Sequence, residues 1–153
     1  MVEFDNLIFH LKKRINTNLP GKDSHKKMKI SYRNKKKFTF NILGYANEQP
    51  KWNYQFYKEI AKCKMALNLS RGRAMKYYSS NRIASLVANG IMTFIDNKVG
   101  YSDFFDDTEM GFYRNVDDLL IQIDRLHSNI NKVNRISKNG KRKYFSIFNN
   151  QII

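Results

Sequence analysis

KMALNLSRGRAMKYYSSNRIASLVANGIMTFID, residues 64–96, is the stretch whose reading decides the fold. Met65 to Leu69 is a short apolar run, long enough for one buried strand. Ser70 to Lys76 is a turn-rich loop with Gly72 and three cations, Arg71, Arg73 and Lys76. Ser79, Ser80 and Asn81 follow, and their side-chain oxygens suit the free N–H groups of a first helical turn. Ile83, Leu86 and Val87 recur at helical spacing. Asn89-Gly90 ends that helix, because both residues tolerate the left-handed conformation of a C-cap. Ile91 to Ile95 is a second strand, ending at Asp96. Loops at the carboxyl ends of strands are where open α/β sheets bind ligands. The unpaired N–H groups and the positive dipole end of the following helix favour an anion, commonly a phosphate.

Working outward, Phe38 to Leu43 is expected to be a strand and Asn53 to Lys62 a short helix. Asn97 to Gly100 is a turn, Tyr101 to Phe105 one helical turn, and Met110 to Tyr113 a further strand. Asn115 or Asp117 can cap a helix carrying Val116, Leu119, Leu120, Ile123 and Leu126. A second helix runs through Ile130, Val133 and Ile136, Gly140 interrupts it, and Tyr144 to Phe148 lie on a last helix. Strands alternating with helices over short connections predict an α/β fold: a Rossmann-like parallel sheet with flanking helices and a C-terminal helical cluster. Towards the amino end, Phe4, Leu7, Ile8, Leu11 and Ile15 share a helical face, and residues 22–37 read as a polar, basic loop. The expected division is an amphipathic helix and basic loop over 1–37 and the sheet domain over 38–153.

At 153 residues the chain is expected to form one main core, and 42% hydrophobic with 27% charged residues excludes a disordered chain. The net charge of +15 points to an anionic partner: nucleic acid, a membrane surface or a phosphorylated substrate. Much of it lies in the runs HKKMK, RNKKK and NGKRK, which read as solvated surface. A lone cysteine, Cys63, excludes an internal disulfide and reads as a small buried or half-buried thiol rather than a nucleophile. His10, His25 and His127 lack partners at ligand spacing, and Asp106, Asp107 and Glu109 read as a solvated loop, so no metal site is expected. The start VEFDNLIFHLKKRI is no signal peptide, and no apolar run approaches the roughly 20 residues of a membrane span. A cytoplasmic location follows as an expectation, with the membrane face left open.

The pieces KMALNLSRG, KYYSSNRIASLVANGIMTFID, YSDFFDDTEMGFYRNVDDLLIQIDRL and ISKNGKRKYF, in that order, resemble the C-terminal half of GT-B glycosyltransferases. The nearest resemblance is to the glycosyl transferases group 1 domain related to spore maturation proteins, over residues 38–149. The resemblance implies the donor-binding half of a two-domain enzyme that holds a nucleotide-diphosphate sugar and needs neither metal nor cofactor. It implies that Asn68, Leu69 and Ser70 lie near the base or ribose, and that Arg71, Arg73 and Lys76 approach the diphosphate. Ser79, Ser80 and Asn81 would meet that group at the helix start, with Arg82 a further phosphate ligand. Tyr77 and Tyr78 either stack on the base or sugar or pack against the helix. Many retaining relatives carry a ribose-binding glutamate five residues before the glycine, where this chain has Ser85. Asp96 and Asp103 are further candidates for sugar hydroxyls. No catalytic residue is assigned, because a base would come from an acceptor domain, supplied by a partner chain or by oligomerisation. Two other readings stay open: a basic nucleic-acid-binding module, disfavoured because aromatics fall at core spacing, and a truncated, non-catalytic remnant that binds a partner chain.

Overall fold

The structure, a computed structural model, describes residues 51–69, 74–78 and 80–148, and the backbone of 28–32 and 36–40. In chain order the elements are β1 (Met28–Tyr32), β2 (Lys36–Phe40), α1 (Asn53–Ile60), β3 (Met65–Asn68) and α2 (Asn81–Ala88). They continue with β4 (Met92–Asp96), β5 (Gly111–Tyr113), α3 (Val116–His127) and α4 (Ile130–Ile147). β3, β4 and β5 form a parallel sheet in that spatial order, with Asn68 opposite Ile95 and Asp96 opposite Tyr113. This is the expected α/β layer arrangement.

β4 explains why the sheet forms. Its neighbours on both sides are parallel and both its faces are covered, so the strand is apolar along its length, as a doubly covered parallel strand must be. Met92 and Phe94 point into a cluster with Tyr113, Leu119, Ile123, Leu126, Val133 and Ile136, contributed by β5, α3 and α4. Ile95, on the opposite face, packs with Ile83, Val87, Val99, Tyr101, Phe105 and Met110. A smaller group, Ile60, Leu86 and Ile91, ties α1 to α2.

α2 ends as expected. Gly90 has φ 72°, its N–H donates to the Val87 carbonyl at 2.9 Å, and the Ile91 N–H donates to the Leu86 carbonyl at 3.1 Å. Those two bonds make a Schellman C-cap.

Two expectations need correction. Gly140 does not interrupt a helix: α4 is continuous from Ile130 to Ile147. Gly140 is buried inside it, and an added Cβ would overlap the Glu109 carbonyl oxygen. The glycine is there because loop backbone lies directly on the helix, which outweighs the ordinary helix penalty of about 1 kcal/mol. Nor are residues 22–37 loop throughout. Met28–Tyr32 is a strand, paired antiparallel with Lys36–Phe40. Of the strand expected at Phe38 to Leu43, residues 38–40 therefore pair in a separate two-stranded sheet and not in the parallel one, and 41–43 lie outside the described residues. Residues 1–27 and 41–50, with the amphipathic segment at Phe4 to Ile15, lie outside the described residues.

Candidate functional site

Because β3 and β4 are parallel, the connections that leave their carboxyl ends gather on one rim of the sheet. α2 starts at that rim. Its N-cap, Ser80, is extended at φ −100°, ψ 152°, but the serine side chain makes no capping hydrogen bond. The first turn holds no acidic residue. It holds Arg82, a cation at the positive end of the helix dipole, where a cation is disfavoured. Arg82 Nη1 donates to the Leu69 carbonyl at 2.9 Å, so the guanidinium lies back over the end of β3.

The preceding residue, Asn68, is 6% exposed, and its Oδ1 has no hydrogen-bond partner among the described residues. Leaving a buried acceptor unmatched costs about 1–3 kcal/mol, and such exceptions in folded proteins need an explanation. The Arg82 guanidinium, the Ser80 hydroxyl that makes no capping bond and the Asn68 amide thus all belong to one βα unit.

A second group latches the adjoining loop. Tyr77 has φ 60°, rare for a residue with a side chain. Its N–H donates to the Val99 carbonyl at 2.7 Å and its hydroxyl to Asp103 Oδ2 at 2.6 Å. Its ring meets Phe104 edge-on at 5.3 Å. Lys76 Nζ lies 3.9 Å from the same Asp103 oxygen and 4.7 Å from the centre of the Tyr77 ring. The Tyr77 hydroxyl first, and Asp103 after it, hold the Lys76 ammonium above its ordinary pKa. Gly100, at φ 77°, makes room: an added Cβ would lie 3.0 Å from Tyr77 Cε1 and 3.2 Å from Lys76 Cγ. These contacts hold a backbone conformation that costs on the order of 1–3 kcal/mol.

The residues singled out in the sequence fall as follows. Ser70, Arg71, Arg73 and Ser79 lie outside the described residues. Ser80, Asn81 and Arg82 stand together at the start of α2. Lys76 is drawn into the Tyr77–Asp103 latch, and Tyr78 is exposed. The Ser85 hydroxyl donates to the Asn81 carbonyl at 2.9 Å, within the helix. Asp96 accepts from the Lys98 N–H at 2.9 Å and caps the turn after β4. Asp106 accepts from the Thr108 N–H and hydroxyl at 2.7 and 2.6 Å, and Glu109 accepts from the Asp106 N–H at 3.1 Å. The Thr108 bonds hold the Asp106 carboxyl below its usual pKa. The acidic loop is therefore a self-bonded turn. No cluster of three metal-ligating side chains occurs among the described residues. Trp52, the N-cap residue of α1, is 72% exposed.

The latch was missed by sequence reasoning. Tyr77 and Asp103 are 26 residues apart, and nothing local links them. Gly100 was the one visible signal, and it reads only as a turn.

A cleft of about 270 Å³ lies at the opposite, amino edge of the sheet, lined among others by Tyr57, Cys63, Lys64, Gly90, Asn134 and Ser137. Cys63 Sγ donates to the Glu59 carbonyl at 3.6 Å. Burial, then Glu59, pushes its thiol pKa up, the reverse of what a nucleophile needs. No helix among the described residues is long and apolar enough to cross a membrane.

Residues 25–151 match the model of a protein family described as glycosyl transferase-like. No curated protein and no solved structure matches the chain significantly.

Proposed function

The chain belongs to the glycosyl transferase-like family, and from that premise we propose that the rim formed by the end of β3 and the start of α2 binds the diphosphate of a nucleotide-sugar donor. The carrying observation is the start of α2: no side-chain cap, no acid in the first turn, and Arg82 turned back over Leu69. Free N–H groups, the positive dipole end and a guanidinium all favour a doubly charged diphosphate. When a glycosyl bond to that diphosphate breaks, charge builds on the leaving oxygens, and fixed donors stabilise it. In this reading the donor half sits here, as in the C-terminal domain of a GT-B enzyme, and the acceptor is presented by other chain. Asn68 supplies an amide to the nucleoside end of the donor. The carboxylates of Asp96 and Asp103 are engaged with Lys98 and with Tyr77, so sugar hydroxyls would have to compete for them.

The test is titration calorimetry of the full chain with UDP, GDP and their sugars. Saturable binding, with a matching rise in melting temperature, is expected for at least one nucleoside diphosphate. Asn68→Leu should leave the free protein as stable or more so, because the unmatched acceptor is removed, while weakening that binding about tenfold. Absence of binding to every nucleoside diphosphate, or an Asn68→Leu variant that binds as the parent does, would overturn the assignment.

A further inference from the structure

We propose that the outward face of α4 is a docking surface for an anionic lipid bilayer. The helix is INKVNRISKNGKRKYFSI, with six cations and no carboxylate in 18 residues. Its inner side, Val133, Ile136 and Gly140, is buried in the domain. Arg135, Lys138, Lys141 and Arg142 are exposed. Among the described residues none of these four is ion-paired, and Arg142 donates only to the Asn139 side chain, at 3.0 Å. Arg135, Lys138 and Arg142 follow at i, i+3 and i+7, so they form one stripe, and Lys141 flanks it.

Two features of this face favour a bilayer over nucleic acid. Phe145 and Phe148 are 49% and 41% exposed. They stand one turn and two turns beyond Lys141, past the last outward cation. Apolar rings without a polar atom, at one end of a basic stripe, suit insertion below headgroups. A single-stranded nucleic-acid surface sets stacking rings among its cations, whereas here both phenylalanines lie beyond Arg142. The stripe is also fixed: it runs about 10 Å along a helix whose inner side is packed in the domain, at about 1.5 Å per residue. A bilayer supplies mobile anions that need no register with such a row. Four cations near the surface are each worth roughly fivefold in partitioning, several hundredfold together. This surface lies outside the donor rim and does not depend on the reading of that rim.

Sedimentation of the full chain with phosphatidylcholine vesicles, with and without 30% phosphatidylglycerol, tests this. Binding is expected only with the anionic lipid, and should weaken as salt rises. The variant Arg135→Gln/Lys138→Gln/Lys141→Gln/Arg142→Gln should lose on the order of several hundredfold. A control with the same number of exposed charges removed from other parts of the described fold, Lys51→Gln/Lys98→Gln/Arg114→Gln/Arg125→Gln, should lose less than about tenfold. Phe145→Ala/Phe148→Ala, which touches no charge, should abolish the binding left at high salt. Circular dichroism checks that each variant folds. Equal losses in the two charge variants would make the attraction a property of net charge and overturn the proposal. So would failure to sediment with anionic vesicles, or tighter binding to a single-stranded RNA oligonucleotide than to them.

Discussion

α2 and α3 begin in opposite ways. At α3, Asn115 Oδ1 accepts from the Asp118 N–H at 3.0 Å, and the Asp118 carboxylate accepts from the Arg114 N–H at 3.0 Å. Asp117 and Asp118 both stand in the first turn, where negative charge suits the dipole. At α2, Ser80 is the right residue in the right conformation, yet its side chain makes no capping bond, and the first-turn charge is Arg82. One helix start is closed by its own residues. The other, among the described residues, has no side-chain cap and carries a cation in its first turn. The contrast is what the proposed anion site rests on: among the described residues side chains cap α3, and none caps α2.

The sharpest way to break that contrast is to close α2 as α3 is closed. Ser80→Asp puts a carboxylate at the N-cap, where it accepts from the first turn. The free protein should gain about 0.5–1 kcal/mol in a chemical denaturation experiment. The same carboxylate occupies the place assigned to the diphosphate, so affinity for the best nucleoside diphosphate should fall on the order of a hundredfold or more. Stability and affinity moving in opposite directions is the signature sought. A gain in stability with affinity unchanged would leave α2 a helix start and nothing else.

Arg82→Ala comes next. Arg82 is exposed, and among the described residues its side-chain hydrogen bond is to the Leu69 carbonyl, so the fold should survive. Loss of a charged donor to phosphate should weaken binding roughly 10- to 100-fold in titration calorimetry. At the other helix, Asn115→Ala removes a real cap and should cost about 1 kcal/mol in denaturation while leaving nucleotide affinity unchanged. Reversal of these two outcomes, with Asn115→Ala hurting binding and Arg82→Ala only stability, would exchange the roles given to the two helices.

The sequence made the parallel sheet and α3 legible because both rest on local pattern. The apolar runs of β3 and β4, the Asn89-Gly90 stop and the Asn115 cap each act within a few residues. What was not legible rests on distant approach. Gly140 looked like a helix stop, and only the Glu109 carbonyl lying on α4 explains it. Met28–Tyr32 looked like loop because the cations on either side of it obscure a short alternation of Met28, Ile30 and Tyr32 with Lys29 and Ser31, and its pairing comes from Lys36–Phe40. At the rim, Ser80, Asn81 and Arg82 could be placed from the sequence by cap chemistry. Two things there could not be foreseen: that Asn68 would be buried with its oxygen unmatched, and that Asp103 would be engaged by Tyr77. Both depend on which side chains meet across the sheet edge.

The smallest expected effect separates the two helix starts by pH. Lys76 is fully exposed, and the Tyr77 hydroxyl, then Asp103, raise its pKa above 10.5. A cation whose pKa is raised by folding contributes stability that is complete below the unfolded value and is lost as pH rises through the folded one. Lys76→Met should therefore melt slightly below the parent at pH 7 and by the same margin at pH 9, and the gap should close as pH rises through the raised folded pKa of Lys76. The α3 start carries carboxylates and an amide, none of which titrates in that range, so the deficit of Asn115→Ala should be the same at pH 7, 9 and 11. Melting curves of the three proteins at those pH values decide it. A Lys76→Met gap that persists unchanged into the alkaline range would mean that the ammonium adds nothing to the latch, and that Tyr77 and Gly100 hold the loop beside α2 by packing and the Asp103 hydrogen bond alone.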